Sequence, residues 1–383
     1  MRGNWNYPTS IRFGAGRLAE LSETCAELDI TRPLIVTDPD LVALPPVVEA
    51  QKALEQGGLA FSVFSGVQAN PDESVVSAGV EAYREGTCDG VIAIGGGSPL
   101  DAGKTIALMV GQTRPLFDFV DEGDNYKRVK TEGVAPIVCV PTTAGTGSEV
   151  GRASIITNST SKLKRIIFHP KMLPGRVIAD PELTLGMPKG LTAATGMDAL
   201  AHNLEAFCSP SFHPMAEGIA LEGLKLVARA LERVYRDGTD IEARSQMLAA
   251  SMMGSAAFQK GLGAIHSLSH PLGGRYNLHH GMLNAVLMPY VLEFNKKALG
   301  SKWKTLEEIF GDDPVRWVLA LRRTLAIPHT LYELGVPEEA VELAAAATAD
   351  PSAQTNPAPL DDKAHRQLIE DALSGHLRAN QIA

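Results

Sequence analysis

Apolar and polar positions change their rhythm once along this chain, and the change predicts two domains. In the first half, short apolar runs alternate with stretches whose apolar residues recur at helical spacing. Residues 33–37, 60–64, 90–94 and 135–140 read as strands, and 18–28, 47–56, 73–85 and 100–109 as helices. Val91, Ile92, Ala93 and Ile94 are apolar without a break, the pattern of a strand buried on both faces of a sheet. Strands and helices alternating at about 30-residue intervals predict parallel βαβ units.

Near residues 180–189 the β-branched runs stop. Ala, Leu and Met then dominate, and helical patterns cover 193–207, 215–235, 241–258 and 282–294. Strong helix formers filling such windows predict an all-helical second domain. Residues 350–361, with three prolines and Asn356, read as a loop before a last helix at 362–374. The expected division is an α/β domain over residues 1–185 and an all-helical domain over 186–383, with a ligand cleft between them.

Composition narrows the function. Over 383 residues, 45% hydrophobic and 21% charged content is that of a globular chain. The net charge of -9 and the lack of a Lys/Arg run beyond Lys127–Lys130 argue against nucleic-acid binding. No apolar stretch is long enough for a spanning helix and the start is polar, so a soluble cytoplasmic protein without a membrane partner is expected. Cys25, Cys88, Cys139 and Cys208 form neither a disulfide framework nor a metal knuckle.

Two glycine-rich loops follow predicted strands. Gly95-Gly96-Gly97-Ser98-Pro99-Leu100-Asp101-Ala102-Gly103-Lys104 opens a helix, with Ser98 suited to the N-cap and Pro99 to the first helical position. Its glycines let a phosphate approach the helix N-terminus. It misses the GxGxxG fingerprint at Leu100, and it misses the Walker spacing because five residues separate Gly97 from Gly103. The second loop, Pro141-Thr142-Thr143-Ala144-Gly145-Thr146-Gly147-Ser148-Glu149-Val150, is rich in short donors. In a parallel sheet both loops share the carboxyl edge, where open α/β sheets bind nucleotides.

Six of the ten histidines fall between His202 and His280. Asp198 and His202 are four apart, on one helix face. His266 and His270 repeat that spacing, and His279-His280-Gly281 follows a loop. One carboxylate with several imidazoles makes a donor set that Fe(II), Zn(II), Mn(II) or Ni(II) accepts. His169 and His213 stand outside any such pattern.

Taken together, these segments resemble the iron-containing (group III) alcohol dehydrogenases of the dehydroquinate-synthase-like fold. The resemblance rests on residues 95–104, 141–150, 196–202 and 261–281, in the family's order. It implies an α/β dinucleotide-binding domain followed by an all-α metal-binding domain. The implied activity is an NAD(P)-dependent interconversion of a small primary alcohol and its aldehyde, by a homodimer carrying one divalent ion, Fe(II) ahead of Zn(II). The metal ligands it implies are Asp198, His202, His266 and His280; the fourteen-residue separation of the last two selects His280 over His279, which stands where relatives carry proline. His270 falls near the nicotinamide, as a proton relay. Asn70, Gly96, Gly97, Ser98, Asp101, Thr142, Thr143, Ser148 and Lys164 are the implied cofactor contacts.

Two further expectations concern specificity. Asp38 ends the apolar run Leu34-Ile35-Val36, where the resemblance implies the adenosine ribose; a carboxylate there accepts the ribose hydroxyls and repels a 2′-phosphate, favouring NAD over NADP. Lys260, six residues before His266, and Arg275, between two of the histidines, are candidate cations for an anionic substrate such as a hydroxy acid or semialdehyde. The competing readings are a nucleotide hydrolase, disfavoured by the Walker spacing, and a metal-binding sensor whose glycine loops bind nothing. Titration with NADH separates the sensor from the dehydrogenase.

Overall fold

Short runs of β-branched residues bounded by turns build the first unit in the computed structural model, which describes residue 7, residues 9–161 and residues 163–377. Its described elements are β1 (Ser10–Phe13), α1 (Leu21–Ala26), β2 (Pro33–Val36), α2 (Pro45–Gln56), β3 (Ser62–Phe64), α3 (Glu73–Glu85), β4 (Gly90–Gly95), α4 (Gly97–Met109), β5 (Ile137–Pro141), β6 (Ala153–Thr157), β7 (Lys164–Phe168) and β8 (Arg176–Ala179). Six strands form one parallel sheet in the order β1-β8-β5-β4-β2-β3, while β6 and β7 pair as an antiparallel hairpin. The strand pleat sorts the core. Ile35, Ile92, Ile94, Val138, Val140 and Ile178 present one face to Leu21 of α1 and to Val47 and Leu54 of α2. On the other face α4 lies close on β4, and a Cβ at Gly103 would stand 2.6 Å from the Cβ of Ala93.

The four strands expected from the pattern are present, and the sheet gains β1 and β8 at one side. Those two are four residues each and carry Arg12 and Arg176, too short and too polar to register as apolar runs. The hairpin was equally hidden, because Ile155 and Ile166 face outward and break the buried pattern. Helix α4 corrects the expected start. It begins at Gly97, with extended Gly96 as N-cap and no side-chain cap, and its first bond runs from Leu100 N–H to Gly96 C=O at 3.2 Å. Ser98 and Pro99 thus lie inside the first turn, where proline's missing N–H costs nothing.

β4 and β5 are adjacent with Gly95 opposite Pro141, so their glycine-rich loops leave the sheet side by side. Thr142 N–H donates to Gly95 C=O at 3.0 Å. Gly95 has φ +147°, and a side chain there would strike Pro99. Fully buried Lys104 fastens the second loop from below. Its Nζ donates to the carbonyls of Ser148 (2.9 Å) and Ala153 (2.5 Å) and lies 3.4 Å from Asp101 Oδ1.

The second described unit begins at Met187 and is helical: α5 (Lys189–Cys208), α6 (Pro214–Arg236), α7 (Ile241–Ala257), α8 (Ala264–Tyr276), α9 (His280–Leu299), α10 (Ser301–Phe310), α11 (Pro314–Thr324), α12 (Ala344–Ala349) and α13 (Asp362–Ser374). Every residue from Thr192 to Cys208 in α5 is buried, the mark of a helix surrounded by others rather than lying on a surface. α6, α7 and α9 pack around it. Pro289 interrupts α9 and leaves Ala285 C=O without its helical donor. The buried guanidinium of Arg322 covers that break, donating to Val286 C=O at 2.9 Å and Ala285 C=O at 3.5 Å.

Lys104→Met keeps the length of the stem and removes the charge. It should lower the unfolding free energy by about 3 kcal/mol, because buried carbonyls and Asp101 lose their donor. Urea denaturation measures this, and a loss under about 0.5 kcal/mol would show that water replaces the ammonium at no cost.

Candidate metal centre and cofactor loops

Helix spacing and burial assemble the histidine cluster within the helical unit. Asp198 and His202 lie one turn apart on α5, His266 is in the first turn of α8, and His280 is the first residue of α9. One donor atom from each of the four falls within 4.8 Å of all the others. His280 Nε2 is 3.6 Å and His202 Nε2 4.0 Å from Asp198 Oδ1. Donors bound at about 2.0–2.2 Å around a tetrahedral ion lie about 3.4 Å apart, so this spacing needs only a small contraction. The ring of His202 stacks on that of His266 at 4.7 Å. His279 is the exposed N-cap residue of α9 and is not among the converging donors.

The chemistry of this donor set fits a cation. Asn284, one turn into α9, places its Nδ2 2.8 Å from Asp198 Oδ1, 3.1 Å from His280 Nε2 and 3.4 Å from His266 Nε2. The lone pairs of three groups therefore converge on one positive hydrogen-bond donor, the arrangement a divalent ion satisfies better. Burial holds His266 well below the usual imidazole range, with His202 and His270 adding to the effect, so its ring stays neutral and able to ligate.

Three residues at the site carry no motif signal. Glu205 is buried on α5, with Oε2 2.6 Å from His266 Nδ1 and Oε1 accepting Ile265 N–H at 2.6 Å. Burial pushes its carboxyl up to about 7 against the pull of those backbone donors. It stands one turn after His202 on the same helix, and that spacing was the readable hint. Asn284, four residues after His280, had the same kind of signal. Asp350 had none: it is 80 residues from His270, whose Nδ1 it meets at 2.8 Å. Burial raises the Asp350 carboxyl, but the His270 bond and charge together with hydrogen bonds from Ser352 leave the group below its ordinary range. His270 itself stacks on His280 at 5.4 Å.

The substrate cations fare differently. Lys260 is fully committed elsewhere, which corrects its expected role. Its Nζ donates to Ala206 C=O (2.9 Å), Phe207 C=O (3.1 Å) and Ser209 C=O (2.6 Å) and pairs with Glu217 at 2.9 Å, so it caps the C-terminus of α5. Arg275 is exposed in the last turn of α8. His169 and His213 each accept a backbone N–H at the start of a following helical turn, from Lys171 and Ala216.

In the α/β unit, Gly96, Gly97 and Ser98 form the start of α4. Thr143 stands over Gly96 and Thr146 over Gly97, close enough that a Cβ at either glycine would press on them. Thr142 is buried and Thr143 half-buried. Asp101 is drawn inward: Oδ1 accepts the Ser148 hydroxyl at 2.5 Å and Oδ2 accepts Ile155 N–H at 2.9 Å. Both Asp101 and Ser148 thus tie α4 to the second loop. Lys164 opens β7, where burial draws its ammonium below the usual range and Asp101 opposes the shift. Asn70 adopts φ +52° and its carbonyl accepts the Thr157 hydroxyl. Asp38 follows β2 and turns the chain, Oδ1 accepting the N–H groups of Asp40 and Leu41 at 3.1 and 2.8 Å.

Comparison with known proteins agrees with this architecture across both units. A family model of iron-containing alcohol dehydrogenase matches residues 8–181, and one for the C-terminal part of the Fe-containing alcohol dehydrogenase family matches residues 192–373. The chain is 41% identical to a 4-hydroxybutyrate dehydrogenase of Cupriavidus necator, covering 96% of this chain and 99% of the relative. Among solved structures, a 1,3-propanediol oxidoreductase superposes with a TM-score of 0.92 at 32% identity, covering 97% of this chain and all of the other. The sulfoacetaldehyde reductase of Bifidobacterium kashiwanohense, solved in complex with NAD+, superposes with a TM-score of 0.89 at 29% identity, covering 98% of this chain and 99% of the other. With an α/β unit bearing two glycine loops, a helical unit bearing the Asp/His cluster, and these matches over nearly its whole length, the chain belongs to the iron-containing alcohol dehydrogenase family.

Proposed function

We propose that this chain interconverts an ω-hydroxy carboxylate and its semialdehyde, using NAD and one divalent ion, Fe(II) ahead of Zn(II). The observation that carries the reading is the convergence of Asp198, His202, His266 and His280 within 4.8 Å inside a largely buried helical unit. Bound there, the ion supplies Lewis acidity toward the substrate oxygen, and bound NAD supplies the hydride acceptor. Alcohol and NAD+ balance to aldehyde, NADH and one proton.

The chain's own residues handle that proton. Asp350 accepts the Nδ1 hydrogen of His270, which leaves Nε2 with its lone pair to take a proton from the hydroxyl. Gly96, Gly97 and Ser98 offer free N–H groups at the start of α4 to the cofactor pyrophosphate. Thr142 and Thr143 flank them, and Asn70 and Lys164 complete the assigned contacts. Asp101 and Ser148 stand with them as cofactor-side residues and also shape the second loop, Asp101 Oδ1 accepting the Ser148 hydroxyl and Oδ2 accepting Ile155 N–H. Asp38 keeps one carboxylate oxygen in its turn and offers the other to the ribose.

Support for an anionic substrate comes from the names of relatives, one a 4-hydroxybutyrate dehydrogenase and another a sulfoacetaldehyde reductase. Arg275 is the residue assigned to the substrate anion. The domain boundary at residues 185/186 belongs to the same reading, as does a homodimer working in the cytoplasm. The described residues contain no helix long and apolar enough to cross a membrane.

Three measurements test the proposal. Catalytic efficiency should be higher for succinic semialdehyde than for butanal, and Arg275→Ala should erase about ten-fold of the difference, the scale of one solvent-exposed charged hydrogen bond; a preference for butanal would overturn the substrate class. His280→Ala should lose both the ion and turnover while remaining folded by circular dichroism, whereas His279→Ala should retain both. Wild-type enzyme should prefer NADH to NADPH, and Asp38→Gly should shift the ratio of efficiencies toward NADPH by roughly ten-fold or more, the cost of removing one unfavourable charge contact. Equal use of both cofactors by the wild type would remove Asp38 from the ribose site.

A further inference from the structure

We infer that Glu205 and Asn356 clamp the N-terminus of α8 and thereby fix the ring orientation and tautomer of His266, setting how tightly the four-donor cluster holds a divalent ion. The inference rests on the reading of that cluster as a metal site. α8 starts behind Gly263, which supplies no capping side chain. Distant residues fill the role: Asn356 Oδ1 accepts Ala264 N–H at 3.1 Å, and Glu205 Oε1 accepts Ile265 N–H at 2.6 Å. A Cβ on Gly263 would stand 2.9 Å from Asn356 Oδ1 and 3.0 Å from Glu205 Oε1, so glycine leaves the room both acceptors need. Asn356 is itself locked by reciprocal amide bonds with Asn295, at 2.9 and 2.8 Å.

The second oxygen of Glu205 reaches His266 Nδ1 at 2.6 Å. In its ionised form Glu205 only accepts, and Nδ1 then carries the hydrogen while Nε2 keeps its lone pair. Nε2 is the atom turned toward the Asn284 amide and the rest of the cluster. Glu205 is engaged at both oxygens, Oε1 by Ile265 N–H and Oε2 at His266 Nδ1. Behind it lies a cavity of about 10 Å³ with Leu204, Cys208, Val291 and Leu292 on its wall, room for one water at most. Partners of ligating histidines outside the coordination sphere typically govern metal affinity by ten- to a hundred-fold.

Glu205→Gln separates this role from packing. The amide keeps the volume and its oxygen still accepts Ile265 N–H, but its NH2 then faces Nδ1 and forces the hydrogen onto Nε2, which cannot ligate. Competition with a chromophoric chelator for Zn(II) should show binding weakened about ten- to a hundred-fold, with the melting of the ion-free protein measured alongside. Equal affinities for wild type and variant would remove the inference alone. Failure of the wild type to bind Zn(II) or Fe(II) would remove the site reading and this inference with it. Should the variant not fold, 15N spectra of histidine-labelled, ion-free wild type decide: an Nδ1–H tautomer for His266 supports the clamp, and an Nε2–H tautomer overturns it.

Discussion

The convergence of acceptors at Asp198, His202, His266 and His280 is the constraint on which the helical unit depends. Each group has surrendered most of its water, and none can donate to another without losing its own lone pair. Burying a carboxylate costs several kcal/mol unless a positive partner is held beside it. Asn284 places an amide donor at that position, and a divalent ion would satisfy the same lone pairs with full charge. The surrounding architecture is arranged to keep these acceptors from relaxing apart. α5 contributes two of them from a face packed on all sides, and Gly254 of α7 approaches so closely that a side chain there would meet His202 Cβ at 2.9 Å.

The same logic of one buried charge holding irregular backbone runs through the α/β unit. The glycines of the loops after β4 and β5 add no side-chain packing of their own. From within α4, Lys104 answers the carbonyl of Ser148 in the second loop and those of Gly151 and Ala153 just after it, while Asp101 answers the Ser148 hydroxyl and Ile155 N–H. A rigid frame is thereby given to loops whose composition alone would leave them mobile. The free N–H groups at the α4 start can then face outward to a ligand instead of being spent on local capping.

What the sequence revealed, and what it hid, follows from interaction range. Helices α3 and α13 appear with the boundaries that their caps dictate, since Asp72 and Asp361 each accept N–H groups from the turn that follows. The pairs Asp198/His202 and His266/His270 were readable because helical spacing puts each on one face. Contacts that join distant segments were not. Asp350 meets His270 only after the helical unit has folded, and Asn356 reaches Ala264 from 92 residues away. Glu205 stood between these cases: its position on α5 was legible, but its partner lay on α8.

Lys260 shows why residue type near a ligand is a weak guide to its task. Six residues before His266, it has the reach and charge for a substrate anion, yet the end of α5 makes a stronger claim on it. The carbonyls of Ala206, Phe207 and Ser209 carry the negative end of a 20-residue helix, buried where water cannot answer them. Burial draws the Lys260 ammonium down to about 8, with Lys302 adding to the shift and Glu217 opposing it. Lys302 adds a second ammonium to the same carbonyls. A substrate carboxylate at this point would have to displace partners already at hydrogen-bond distance and pay their desolvation as well. The other candidate cation, Arg275, lies exposed in the last turn of α8, away from these carbonyls.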